Sequence, residues 1–251
     1  MQMRGEIPKR RLREIGASLP SAQRMLARVL PRRHWMFLGS EAAMGSAVRS
    51  LWDGWHLLCE ADLALFEAEA CKVWYEDLRK PPNETGSTYC SRYYLDDAAL
   101  RIHASAEHML KALKMHLGLK TSKMTRGEPA LRRTIRALKH NNSNPTIAKC
   151  LERLDSNQHW WKCAEYRNKW VHNNRMTVRG LPSILTSAKL YHEPGIQGFS
   201  FGRVSSAELD VKELREWCVG AYLALLDVYL KVFKLVSPRP SELRFLKAKD
   251  W

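Results

Sequence analysis

The chain has 251 residues, 45% of them hydrophobic and nine of them tryptophan. That excludes a disordered polymer and leaves room for one large domain or two small ones with a buried core. Its 41 lysines and arginines against 26 aspartates and glutamates leave a net charge of +15; a field of that sign selects polyanions as partners, with a merely basic globular protein as the alternative.

Residues 1–40 read as a basic arm. Arg4, Lys9, Arg10, Arg11, Arg13, Arg24, Arg28, Arg32 and Arg33 face only Glu6 and Glu14, and Pro20 and Pro31 leave space for one short helix between them. The arm lacks the continuous apolar run of a secretory signal. A membrane-surface role, if any, would reside in QRMLARVLPRRHWMF.

A helical domain is predicted over 41–251. Leu51, Trp55, Leu58, Asp62, Leu65, Phe66 and Ala70 fall at three- and four-residue steps, which predicts a long helix between 41 and 79. KPPNETGST reads as the turn that stops it. A second long helix is predicted in YYLDDAALRIHASAEHMLKALKMHLG, with Gly118 just beyond its end. TRGEPALRRTIRALKHNN predicts a short basic helix. NPTIAKCLERL opens with an asparagine before a proline, a helix start. SNQHWWKCAEYRNKWVHNN is the next helix.

Residues 175–206 lose the helical period and gain glycine and proline, so a loop or small hairpin is expected there. The last helix, LDVKELREWCVGAYLALLDVYLKVF, opens with Asp210 and Glu213 in capping-box spacing. Asp227, Lys231 and Lys234 interrupt its apolar window, so it reads as a core helix and a membrane is not expected as a partner. Six cysteines, at 59, 71, 90, 150, 163 and 218, form no CxxC pair, which fits a reducing, cytoplasmic compartment. The expected fold class is all-α.

One stretch carries chemistry. In EYRNKWVHNN, Arg167 is followed directly by Asn168 and, five residues on, by His172 and Asn173. Arg-to-His spacing alone means little, since Arg28/His34, Arg49/His56, Arg101/His108, Arg133/His140 and Arg153/His159 share it approximately. The amide after the arginine and the late-helix position set this copy apart. RNKWVH resembles the hallmark of the HEPN superfamily (higher eukaryotes and prokaryotes nucleotide-binding domains), a likeness extending over about residues 89–236. Glu107 and Lys111, one turn apart on the preceding long helix, resemble an acidic–basic pair that many members carry.

The resemblance implies a helical bundle of the HEPN type that forms a homodimer and cuts RNA without metal or cofactor. By the same resemblance His172 is the acid/base group, Arg167 the phosphate clamp and Asn168 a positioning amide, with Glu107, Lys111, Glu165 and Asn173 in support. A histidine titrating near neutrality suits proton transfer at a ribose 2′-hydroxyl. A guanidinium suits a phosphate as charge grows on it. Arg132, Arg133 and Arg136 in the basic run, and Lys169 in the motif, are the expected nucleic-acid contacts; a solvated helix face is their alternative reading.

On an ideal helix Arg167 and His172 diverge by roughly 140°. A two-fold dimer bringing two motifs to one cleft, or a helix that tightens near His172, would reconcile them. Relatives often serve in defence or as toxins, which would add a cognate inhibitor or antitoxin as partner. Two other readings stand beside this one: a solvated helix terminus capped by asparagines, and a catalytically inactive module that binds RNA, a nucleotide or a protein. His103 with Glu107, and His159 with Cys163, lack a third ligand, so no metal site is expected. Trp160 and Trp161 suit base stacking or, more commonly, core packing.

Overall fold

Helix dominates the computed structural model, which describes residues 7–19, 21, 22, 24, 25, 46–119, 128–171, 188–193, 196–201 and 209–236, the backbone alone for 170, 171 and the two strands. The fold class is all-α. Among the described residues the order is α1 (Lys9–Ser18), α2 (Ser46–Lys72) continued by a π-helical turn (Val73–Leu78), α3 (Glu84–His116), α4 (Ala130–His140), α5 (Pro145–Asp155), α6 (Gln158–Val171), β1 (Ala188–Glu193), β2 (Ile196–Phe201) and α7 (Val211–Val236). The strands pair antiparallel, Ala188 opposite Phe201 and Glu193 opposite Ile196, so the stretch read as a loop or hairpin contains a hairpin. No helix among the described residues is long and apolar enough to cross a membrane.

Capping explains most helix boundaries. The Asn144 side chain accepts from the Ile147 amide at 3.0 Å with Pro145 at the first helical position. The Asn157 side chain accepts from the Trp160 amide at 2.9 Å, and that of Asp210 from the Lys212 amide at 2.8 Å. Gly118, at φ +59°, adopts the left-handed conformation beyond the end of α3. One boundary differs from expectation: α3 starts at Glu84, inside the stretch read as a turn. The Asn83 side chain accepts from the Gly86 amide at 2.8 Å, so this cap restarts the helix directly after Pro81 and Pro82.

The chain divides into two compact units, and α2, α3 and α7 each contribute to both. The first comprises residues 1–20, 60–103 and 157–223. It holds a helix that the arm's composition concealed. Leu12, Ile15 and Leu19 lie on one face of α1 and its exit; with Ile7 they pack against Phe66, Ala70, Val73, Trp74, Leu78 and Val219. Arg11 adds ion pairs to Glu14 at 3.2 Å and to Asp77 at 3.0 Å. These are exposed and worth at most about 1 kcal/mol each, so apolar burial holds α1 down. The short helix expected between Pro20 and Pro31 falls largely outside the described residues.

The second unit comprises residues 21–59, 104–156 and 224–251. Its α2 and α7 portions meet through aromatic rings: Trp55 with Tyr229 at 5.9 Å and with Phe233 at 5.3 Å, and Trp52 with Phe233 at 5.5 Å, all edge-on. The buried Tyr229 hydroxyl donates to the Ser105 carbonyl at 2.9 Å, and Ser50 donates to the His108 carbonyl at 3.0 Å. In the same unit α4 and α5 form an antiparallel helical hairpin, tied by Arg132–Asp155 at 3.1 Å and by Lys139–Glu152.

Candidate functional site

Arg167 and Asn168 lie near the end of α6, in the first unit. The residue before them sets their position. Tyr166 is buried, and its hydroxyl donates to the Asp96 carboxylate on α3. Arg92, one turn before Asp96, lies 3.8 Å from the same carboxylate. Burial, then the Asp96 charge and hydrogen bond, raise the Tyr166 phenol, with Arg92 opposing; the proton therefore stays on the tyrosine.

With Tyr166 turned into the unit, the next two positions face outward: Arg167 is half-buried and Asn168 exposed. The Arg167 Nη1 donates to Asn168 Oδ1 at 3.0 Å. The amide thus orients the guanidinium, which gives the residue directly after the arginine a physical use. Glu165 pairs with Lys169 at 2.7 Å, both substantially exposed. Each therefore has a neighbouring partner on the helix surface.

His172 and Asn173 lie outside the described residues. Glu107 and Lys111 are exposed on the part of α3 in the second unit, not the unit that holds Arg167. The α3 residues that engage the motif helix are Arg92 and Asp96. The sequence offered only a weak sign of them, a basic and an acidic residue one turn apart in SRYYLDD; Tyr166 as the acceptor's partner was not legible.

Arg132, Arg133 and Arg136 also belong to the second unit. Arg132 is committed to Asp155 and Arg136 to Glu128, which reduces what either offers a phosphate. Arg133 differs and is taken up below. Trp160 is buried and its ring lies 4.4 Å from that of His103, so it serves the core.

A second polar cluster in the first unit was not foreseen. Cys163 and Cys218 are fully buried and His103 nearly so. The hydrogen bond from Cys218 pulls the Cys163 thiol down, burial opposes, His103 assists, and the result is about 6. Cys218, which donates that bond and is itself buried, is driven well above the ordinary thiol range. The two sulfurs thus share one proton. Among the described residues no group of three or more His, Cys, Asp or Glu is placed to hold a metal ion, and all six cysteines are free thiols. No family model, no curated protein and no solved structure matches the chain.

Proposed function

We propose that the protein is a cytoplasmic, metal-independent endoribonuclease of the HEPN type, acting as a homodimer. The observation that carries the reading is the Arg167–Asn168 pair, displayed at the end of α6 by the buried Tyr166–Asp96 anchor and followed in sequence by His172. Arg167 clamps the scissile phosphate and Asn168 orients the guanidinium. His172 exchanges the proton as the 2′-oxygen attacks phosphorus and the 5′-oxygen leaves, yielding a cyclic phosphate end. The net charge of +15 supports an RNA substrate over a neutral one. On this reading a cognate inhibitor would cover the motif, as in a defence or toxin role.

The test is RNA cleavage in chelator by wild type, Arg167→Ala and His172→Ala. Cleavage that persists in chelator and is lost in both variants is expected. Cleavage abolished by chelator, or unchanged in both variants, rejects the mechanism. The commitment of Arg132 and Arg136 to carboxylates favours no second catalytic centre on α4; salt-sensitive RNA binding without turnover in the same assay would point to the inactive binding module instead.

A further inference from the structure

Four cations lie along α4, and three have a carboxylate: Arg132 has Asp155, Arg136 has Glu128 and Lys139 has Glu152. Arg133 is the exception. Among the described residues no acidic side chain pairs with it, and its Nε is buried without a hydrogen-bond partner. The first turn of α4 carries no acidic residue, and its N-terminal position, Pro129, supplies no side-chain cap, so nothing in that turn offsets the charge.

The neighbour that Arg133 does have is another cation. Lys114, half-buried in the last turn of α3, is pushed below the ordinary lysine range by burial and then by the Arg133 charge. Both residues belong to the second unit. Partly desolvating two like charges side by side is unfavourable in itself. A pair of this kind becomes favourable when an anion enters, because each new contact is a charge-assisted hydrogen bond and the mutual repulsion is neutralised.

We propose that Lys114 and Arg133 form an anion site that takes a phosphate group. The guanidinium fork matches two oxygens of a tetrahedral anion and the ammonium contacts a third as a point charge. This site goes beyond the nuclease reading: it lies in the other unit from Arg167 and requires no turnover. The phosphate is either free inorganic phosphate or a phosphodiester of an RNA backbone; the two arms of the test separate them.

In the first arm inorganic phosphate is titrated into wild type, Lys114→Gln, Arg133→Gln and Lys139→Gln at constant ionic strength with chloride as reference, read by calorimetry and thermal unfolding. In the second arm a short single-stranded RNA replaces phosphate. Circular dichroism confirms that each variant is folded. Binding weakened about tenfold or more in Lys114→Gln and Arg133→Gln, with Lys139→Gln like wild type, is the expected result. Seen with inorganic phosphate, it assigns the site to the free anion; seen with RNA alone, to the phosphodiester. Without any anion, Lys114→Gln unfolds no lower than wild type, because it relieves repulsion. The proposal is overturned if wild type responds to phosphate no more than to chloride and all three variants bind RNA alike, or if Lys139→Gln loses as much binding as the other two. The outcome is independent of whether Arg167→Ala abolishes cleavage.

Discussion

The Tyr166 hydroxyl donates to the Asp96 carboxylate, and this bond ties the motif helix α6 to α3 one residue ahead of Arg167. Because the tyrosine is buried, its removal leaves a largely buried carboxylate short of a donor. Tyr166→Phe is expected to lower the unfolding free energy by about 1–3 kcal/mol, measured by urea denaturation. Asp96→Asn keeps an acceptor at the same place and costs less. Equal stability of wild type and Tyr166→Phe would show that the bond contributes nothing. In a parallel cleavage assay, the proposed site predicts that Tyr166→Phe also slows turnover, since the helix that aims Arg167 loses its anchor.

Alkaline pH tests the interior of the first unit. Burial, followed by the nearby Cys90 and Glu67, pushes the Cys71 thiol up to about 12 from an ordinary 9.0. The folded state then keeps a proton that the unfolded chain releases. The stabilisation is complete below about pH 9 and is lost as pH rises from there toward the folded value, by up to about 1.4 kcal/mol per pH unit. Tyr166 and Tyr229, both raised above 10.0 chiefly by burial, add losses of the same sign at higher pH. Cys71→Ala should flatten the first part of this decline in thermal unfolding measured through the alkaline range. An unchanged slope would place the titrating group elsewhere.

Gly54, inside α2, gives a prediction against helix propensity. Replacing an exposed helical glycine by alanine stabilises by about 1 kcal/mol. Here a Cβ would meet the Tyr229 hydroxyl, would come within 2.7 Å of His108 Cβ and within 2.8 Å of the Ser105 carbonyl oxygen. Two of these atoms make the hydrogen bond that joins α7 to α3. Gly54→Ala is therefore expected to destabilise by about 1–3 kcal/mol; a gain in stability would mean that the helices separate at no cost.

How much of this was legible beforehand varied with the range of the interaction. Asn144 before Pro145, Gly118 beyond α3 and Asp210 ahead of α7 could be read directly, because a cap acts within one turn of chain. Helix α1 was missed because its charges dominate its composition, while its apolar face is only Leu12, Ile15 and Leu19. That face has meaning only opposite Phe66 and Ala70. The start of α3 was misplaced because PPNETG carries turn formers, and only the Asn83 cap shows that the helix begins at Glu84.

By itself, then, the sequence determined the all-α class, most helix boundaries, the basic charge and the Arg167–Asn168–His172 spacing, all properties set by neighbours within a few residues. Only the tertiary structure decided that Tyr166 turns inward to Asp96, that Cys163 shares a proton with Cys218, and that Arg133 alone on its helix meets a cation in place of a carboxylate. Those pairings join residues 70, 55 and 19 positions apart in the chain. Their partners are selected by packing in three dimensions, which no local period or spacing encodes.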